Sequence, residues 1–181
     1  MKCILIRKVR RAQKACRWLP AILWISGLSA QTCLVLSPST LHQKNNGLFD
    51  LSLYAPNGKA PSAVQWTFQY PASSISSFNV DDGPVLNAAG KTAICAGDAA
   101  AYNCLVVGLN TKPIANGVIA KVAAVFAPGA GPAVLQLTNP RASSADGSLI
   151  PIVARIQSVP TTDLASDCGL LPRPKGPVGG K

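Results

Sequence analysis

Two acidic side chains stand next to each other in "NVDDGP", Asp81 and Asp82, and catalytic chemistry would first be sought there. Hydrolysis of a glycosidic bond needs two carboxyl groups flanking that bond. Neighbouring residues on a strand point to opposite faces. In a turn the same side chains are solvated and cap backbone amides. The chain has seven acidic residues, all of them Asp. Asp50 could join one of the pair across the fold, but no feature of the sequence requires it. The single histidine, His42, lies in the polar stretch "LHQKNNG" with no Ser or Cys motif beside it. A solvated loop histidine is therefore a better reading than a triad member. Neither G-x-S-x-G nor H-E-x-x-H occurs. "DDGP" and "ADGS" match only the glycine end of a calcium loop, and turns account for both. These residues predict a protein that is not an enzyme and that uses no cofactor or metal.

The cysteines carry the remaining chemistry, and their meaning depends on compartment. Residues 1–30 hold seven of the seventeen Lys and Arg and no acid. After Arg17 comes "WLPAILWISGLSA", short for a membrane span, which needs about 20 apolar residues, but suited to a signal-peptide core ending in small residues. Cleavage is expected after Ala30, with Leu28 and Ala30 at the recognition positions. The alternative is an uncleaved N-terminal anchor. Without residues 1–30, ten basic residues face seven Asp and are scattered from Lys44 to Lys181. The formal charge of +10 thus belongs mostly to the leader, and with no basic cluster to follow a phosphate backbone, nucleic acid is excluded as a partner. Export to an oxidising compartment turns Cys33, Cys95, Cys104 and Cys168 into candidate disulfides, with three possible pairings. A local bridge from Cys95 to Cys104 across "AGDAAAYN" is favoured, and Cys33 and Cys168 would then bracket the domain. The spacings do not fit zinc.

Strands must position whatever site the domain carries. In "VQWTFQY", Val64, Trp66, Phe68 and Tyr70 alternate with Gln65, Thr67 and Gln69, the period of a half-buried strand. "CLVLSPS", "LFDLSLYA", "ISSFNV", "TAIC", "CLVVGL", "VIAKVAAVFA", "AVLQLTN" and "LIPIVARI" complete the set. They are separated by turn chemistry at Pro56-Asn57-Gly58, Asp82-Gly83-Pro84, Asn116-Gly117 and "PGAGP". The β-branched residues and flanking glycines favour a strand over a helix for "GVIAKVAAVFA". The prediction is an all-β sandwich or barrel of eight or nine strands over residues 31–159. A Pro- and Gly-rich tail, expected to be disordered, follows over residues 160–181.

In this order and spacing, three stretches resemble a bacterial cohesin domain over roughly Cys33 to Val159: "AVQWTFQYPASSISSFNV", "NGVIAKVAAVFAP" and "AVLQLTNPRASSADGSLIPI". The resemblance implies a nine-stranded jelly-roll β-sandwich, related to carbohydrate-binding modules. It further implies binding to dockerins, small calcium-loaded modules on secreted enzymes, and so the assembly of extracellular polysaccharide-degrading proteins. Cohesins present a flat sheet face to the partner, and Gln65, Thr67 and Gln69 lie on the strand that resembles a contributor to it.

Two further readings compete. A carbohydrate-binding module would need exposed aromatic rings to stack on sugars. Tyr54, out of phase with Phe49, Leu51 and Leu53, and Tyr102, between Cys95 and Cys104, are the candidates. A structural cell-surface or adhesion protein is the third. The expected partner is a dockerin-bearing secreted protein, with polysaccharide as the alternative and no membrane once the signal is removed.

Overall fold

Alternating side chains build two five-stranded sheets in the computed structural model. It describes residues 31–39, 46–98, 100–158 and 168. The leader, Cys3, Cys16, His42 and the tail apart from Cys168 lie outside the described residues. The strands are β1 (Thr32–Pro38), β2 (Asn46–Tyr54), β3 (Ala63–Gln69), β4 (Ile75–Asp82), β5 (Thr92–Gly97), β6 (Ala101–Val107), β7 (Gly117–Phe126), β8 (Gln136–Ser143), β9 (Leu149–Ile150) and β10 (Ile152–Ile156). One sheet runs β10-β1-β2-β7-β4 and the other β5-β6-β3-β8-β9. Every pairing is antiparallel except β1 with β10. The fold is a β-sandwich, the one of the two all-β architectures open to the alternation that the resemblance implies.

The inner faces supply the core. Leu34 and Leu36 of β1, Phe49, Leu51 and Leu53 of β2, and Val64, Trp66 and Phe68 of β3 are buried together. On β7 the inward positions include Ala120 and Ala124, each at most 1% exposed, so its alanines sit inside a strand as small packing residues. Aromatic rings tie the sheets together. Phe78 of β4 lies 5.1 Å from Phe68 and 5.4 Å from both Tyr70 and Tyr102, centroid to centroid.

β1 is buried along its whole length. Its outer side, Cys33 and Val35, forms a second small cluster with Cys168, against which Tyr54 and Val153 pack. Cys33 and Cys168 are disulfide-bonded with Cα atoms 6.0 Å apart. Cys95 and Cys104 form the second bridge, directly opposite each other on β5 and β6. Both bridges are those the sequence favours.

Three local features differ from expectation. "GPVLNAAG" forms a helix, α1 (Pro84–Ala89), between β4 and β5, where a plain turn is predicted. Its signal is Pro at the first helical position and Gly just past the end. Gly90 takes the left-handed conformation at φ 65° that an αL cap needs, while a side chain at Gly83 would collide with the Val118 carbonyl. β8 continues through Pro140 to Ser143; its pairing with β3 shifts register beside Asn139, which has φ 49°, and a bulge is where a strand admits proline. "LIPIVARI" divides at Pro151 into β9 in one sheet and β10 in the other. Ten strands result. No described helix is long and apolar enough to cross a membrane.

Candidate recognition face

Period two sends Val64, Trp66 and Phe68 inward, so Gln65, Thr67 and Gln69 lie on the outer face of the second sheet. Cross-strand register then builds this face row by row. One row reads Ile94, Leu105, Gln65, Arg141, and the next Ala96, Asn103, Thr67, Thr138; Ala101, Gln69 and Gln136 follow. Ile94 is 58% exposed and Leu105 45%, side by side on β5 and β6. Leu149 of β9 is 83% exposed at the far edge. Arg141 is the single charged residue in these rows.

Gln69 is exposed and Gln65 half-buried. Thr67 is on the same face but only 4% exposed. Its hydroxyl donates to Asn103 Oδ1 at 2.8 Å, and Thr138 Oγ1 donates to the Thr67 carbonyl at 3.4 Å. Thr67 therefore fixes its neighbours across three strands and offers little surface of its own. The two tyrosines do not share a surface. Tyr54 is half-buried on β2 in the first sheet and packs against the Cys33–Cys168 cluster. Tyr102 points to the inner side of β6, where its ring meets Phe78 edge-on; the expectation that it stands exposed in the disulfide loop does not hold.

Ile94 and Leu105 are absent from the sequence-based candidates. Their signal is the disulfide itself: once Cys95 and Cys104 both point inward, the adjacent Ile94 and Leu105 must point out.

The β5–β6 turn that frames the face is held by Asp98. Its carboxylate accepts from the Ala100 and Ala101 amides at 2.9 and 3.0 Å, and its carbonyl accepts from Tyr70 Oη at 3.4 Å. The amides of Ala100 and then Ala101 hold the Asp98 carboxyl below its ordinary range. Burial, reinforced by the Asp98 charge, pushes the Tyr70 hydroxyl up. A depressed folded-state pKa stabilises the turn above the unfolded value, and that stabilisation is lost as pH falls through the folded value. An NMR titration is expected to place the Asp98 midpoint below about 3.9, with the Ala100 and Ala101 amides moving at the same midpoint; a midpoint at or above 3.9 would contradict the bonding.

The paired acids do other work. Asp82 accepts from Thr92 Oγ1 at 2.6 Å and from the Ala93 amide at 2.7 Å, tying β4 to β5, while Asp81 accepts from Asn79 Nδ2 at 3.0 Å. Among the described residues no three His, Cys, Asp or Glu side chains converge on a possible metal position.

No family model matches the chain, and no curated protein is significantly similar to it. Solved structures are. The sixth cohesin of scaffoldin B from Acetivibrio cellulolyticus, solved in complex with a dockerin, superposes with TM-score 0.55 at 11% identity, covering 71% of this chain and 99% of that one. The cohesin of a type I cohesin–dockerin complex from Clostridium thermocellum gives 0.56 at 8% identity, with the same coverages of 71% and 99%. A non-cellulosomal cohesin from the hyperthermophilic archaeon Archaeoglobus fulgidus gives 0.53 at 11%, covering 76% of this chain and 97% of that one. The fold is cohesin-like.

Proposed function

We propose that this cohesin-like sandwich is a secreted, non-catalytic recognition module that binds a protein partner of the dockerin type. The contact surface is the outer face of the β5-β6-β3-β8-β9 sheet. One observation carries the reading: an almost uncharged sheet face with an exposed Ile94–Leu105 pair bordered by Gln65, Asn103, Thr138 and Gln136. An exposed apolar patch in a surface depleted of charge, flanked by hydrogen-bonding side chains, matches the composition of a protein interface. The dockerin complexes among the structural neighbours support the choice of partner. The two disulfides suit an oxidising, extracellular setting, and assembly of polysaccharide-degrading proteins is the role consistent with that setting.

The test is capture from the organism's own secreted fraction by the oxidised chain, with calcium and then with a chelator. A retained protein that carries paired calcium loops and elutes with the chelator is the expected result. Leu105→Arg is expected to weaken that capture by about 30-fold or more, the scale of a central interface residue. Gln65→Arg with Gln69→Arg is expected to weaken it less, because Gln65 only borders the apolar pair and Gln69 lies two rows away from it. Retention on cellulose or another glycan, with no calcium-dependent protein, would sink the proposal.

A further inference from the structure

The lysine just past the α1 C-terminus is 6% exposed. A buried ammonium is costly unless its charge and its three donors find partners. Lys91 Nζ donates to the Asn110 carbonyl at 2.8 Å, and among the described residues no second acceptor engages it. Two of its N–H groups therefore lack a partner among the described residues.

The surroundings are built around this side chain. A Cβ on Gly108 would lie 2.8 Å from Lys91 Cγ, so glycine at that position leaves room for the lysine stem. Asn110 is locked: its Nδ2 donates to the Ala89 and Gly90 carbonyls, each at 3.1 Å, and its Oδ1 accepts from the Lys112 amide at 3.0 Å. The carbonyl that fixes the ammonium is thus itself held in place. Lys91, Asn87, Thr92, Gly108, Leu109 and Asn110 line a cavity of about 700 Å³. Asp82 is the one carboxylate on its wall, and both Asp82 oxygens are occupied by the Thr92 hydroxyl and the Ala93 amide.

The cavity opens at the end of the recognition face. Thr92 and Val107, on its rim, are the cross-strand pair two residues along from Ile94 and Leu105. Leu109, fully exposed, stands at the lip. A cation with free donors selects an anionic oxygen ligand, and the Asp82 charge on the same wall repels a singly charged carboxylate less than a phosphate. An apolar rim continuous with Ile94 and Leu105, and a wall without aromatic rings, favour a protein side chain over a sugar acid.

We infer that the Lys91 cavity is a carboxylate socket that receives an acidic side chain of the protein partner. The second half of this statement rests on the recognition face proposed above; the socket does not. The experiment is an amide-resolved NMR titration of the oxidised chain with sodium acetate, sodium N-acetylglutamate and sodium glucuronate, against sodium chloride at equal ionic strength. Acetate and N-acetylglutamate are expected to give saturable shifts at Gly90, Gly108 and Asn110. The shifts are expected to disappear in Lys91→Met and persist in Lys112→Met. Shifts that chloride reproduces, or that never saturate, overturn the socket in the wild-type chain, whatever the variant does. Glucuronate binding at least about tenfold tighter than N-acetylglutamate overturns the protein source. Partner capture that fails with Leu105→Arg but is indifferent to Lys91→Met overturns the socket's part in recognition, while carboxylate binding without any protein partner leaves the socket standing and removes the face.

Discussion

Phe68→Ala is expected to lower the unfolding free energy by about 3–5 kcal/mol, read as a fall in the denaturant midpoint at unchanged slope. Phe68 is fully buried, and its ring meets Trp66 at 6.3 Å on its own strand and Phe78 at 5.1 Å from the opposite sheet. Phe78 in turn touches Tyr70 and Tyr102, so one truncation opens a void where the two sheets are joined through aromatic rings. Such a junction cannot collapse without moving a strand, which places the cost at the upper end of core substitutions. Phe68 also lies directly between Thr67 and Gln69 on β3, so the void forms immediately behind the candidate recognition face. The same variant should therefore lose partner capture at temperatures where it remains folded. A loss of stability below about 1 kcal/mol would mean that the aromatic junction is not what holds the two sheets together.

The alternating strands were legible because each reports its own burial. Val64, Trp66, Phe68 and Phe49, Leu51, Leu53 fall on inner faces as their period requires. β7 was legible against its alanines because its β-branched residues suit a pleated surface and Asn116-Gly117 and Pro128-Gly129 on either side are turn chemistry. The helix α1 escaped because it spans only six residues, too short to show a 3.6-residue period; its end signals were the sole trace. The division of "LIPIVARI" escaped for a different reason. A proline inside an apolar run marks a break but not which sheet receives each half, and that depends on partners β8 and β1 more than a hundred residues apart in sequence. The recognition face was half legible. Its polar strand stood out, whereas the exposed pair Ile94 and Leu105 takes its outward direction from the neighbouring cysteines, which the strand pattern alone does not orient. Lys91 could not be found at all, since burial of a lone lysine leaves no pattern in sequence.

Removing the long bridge by Cys33→Ala with Cys168→Ala is expected to cost about 3–5 kcal/mol, more than removing Cys95–Cys104 in the same way. The bridge joins residues 135 apart, whereas the other joins residues 9 apart, and in the chain-entropy account the stabilisation grows with the logarithm of the closed loop. Packing acts in the same direction. Cys33 and Val35, both fully buried, sit on the outer side of β1, where they cluster with Cys168. Losing the link leaves that apolar surface free to meet water. Denaturant melts of the two double variants, compared under oxidising conditions, give the ranking; an equal or larger loss from the short bridge would show that strand pairing, not chain closure, sets the stability. Binding should rank in the opposite order. The long bridge lies on the sheet remote from the recognition face, so its loss should leave capture intact below the lowered melting point. The short bridge clamps the edge strand β5, whose inward side chains are otherwise as small as Ala93 and Gly97. Without it Ile94 loses its fixed place beside Leu105, and capture should weaken even though the fold survives.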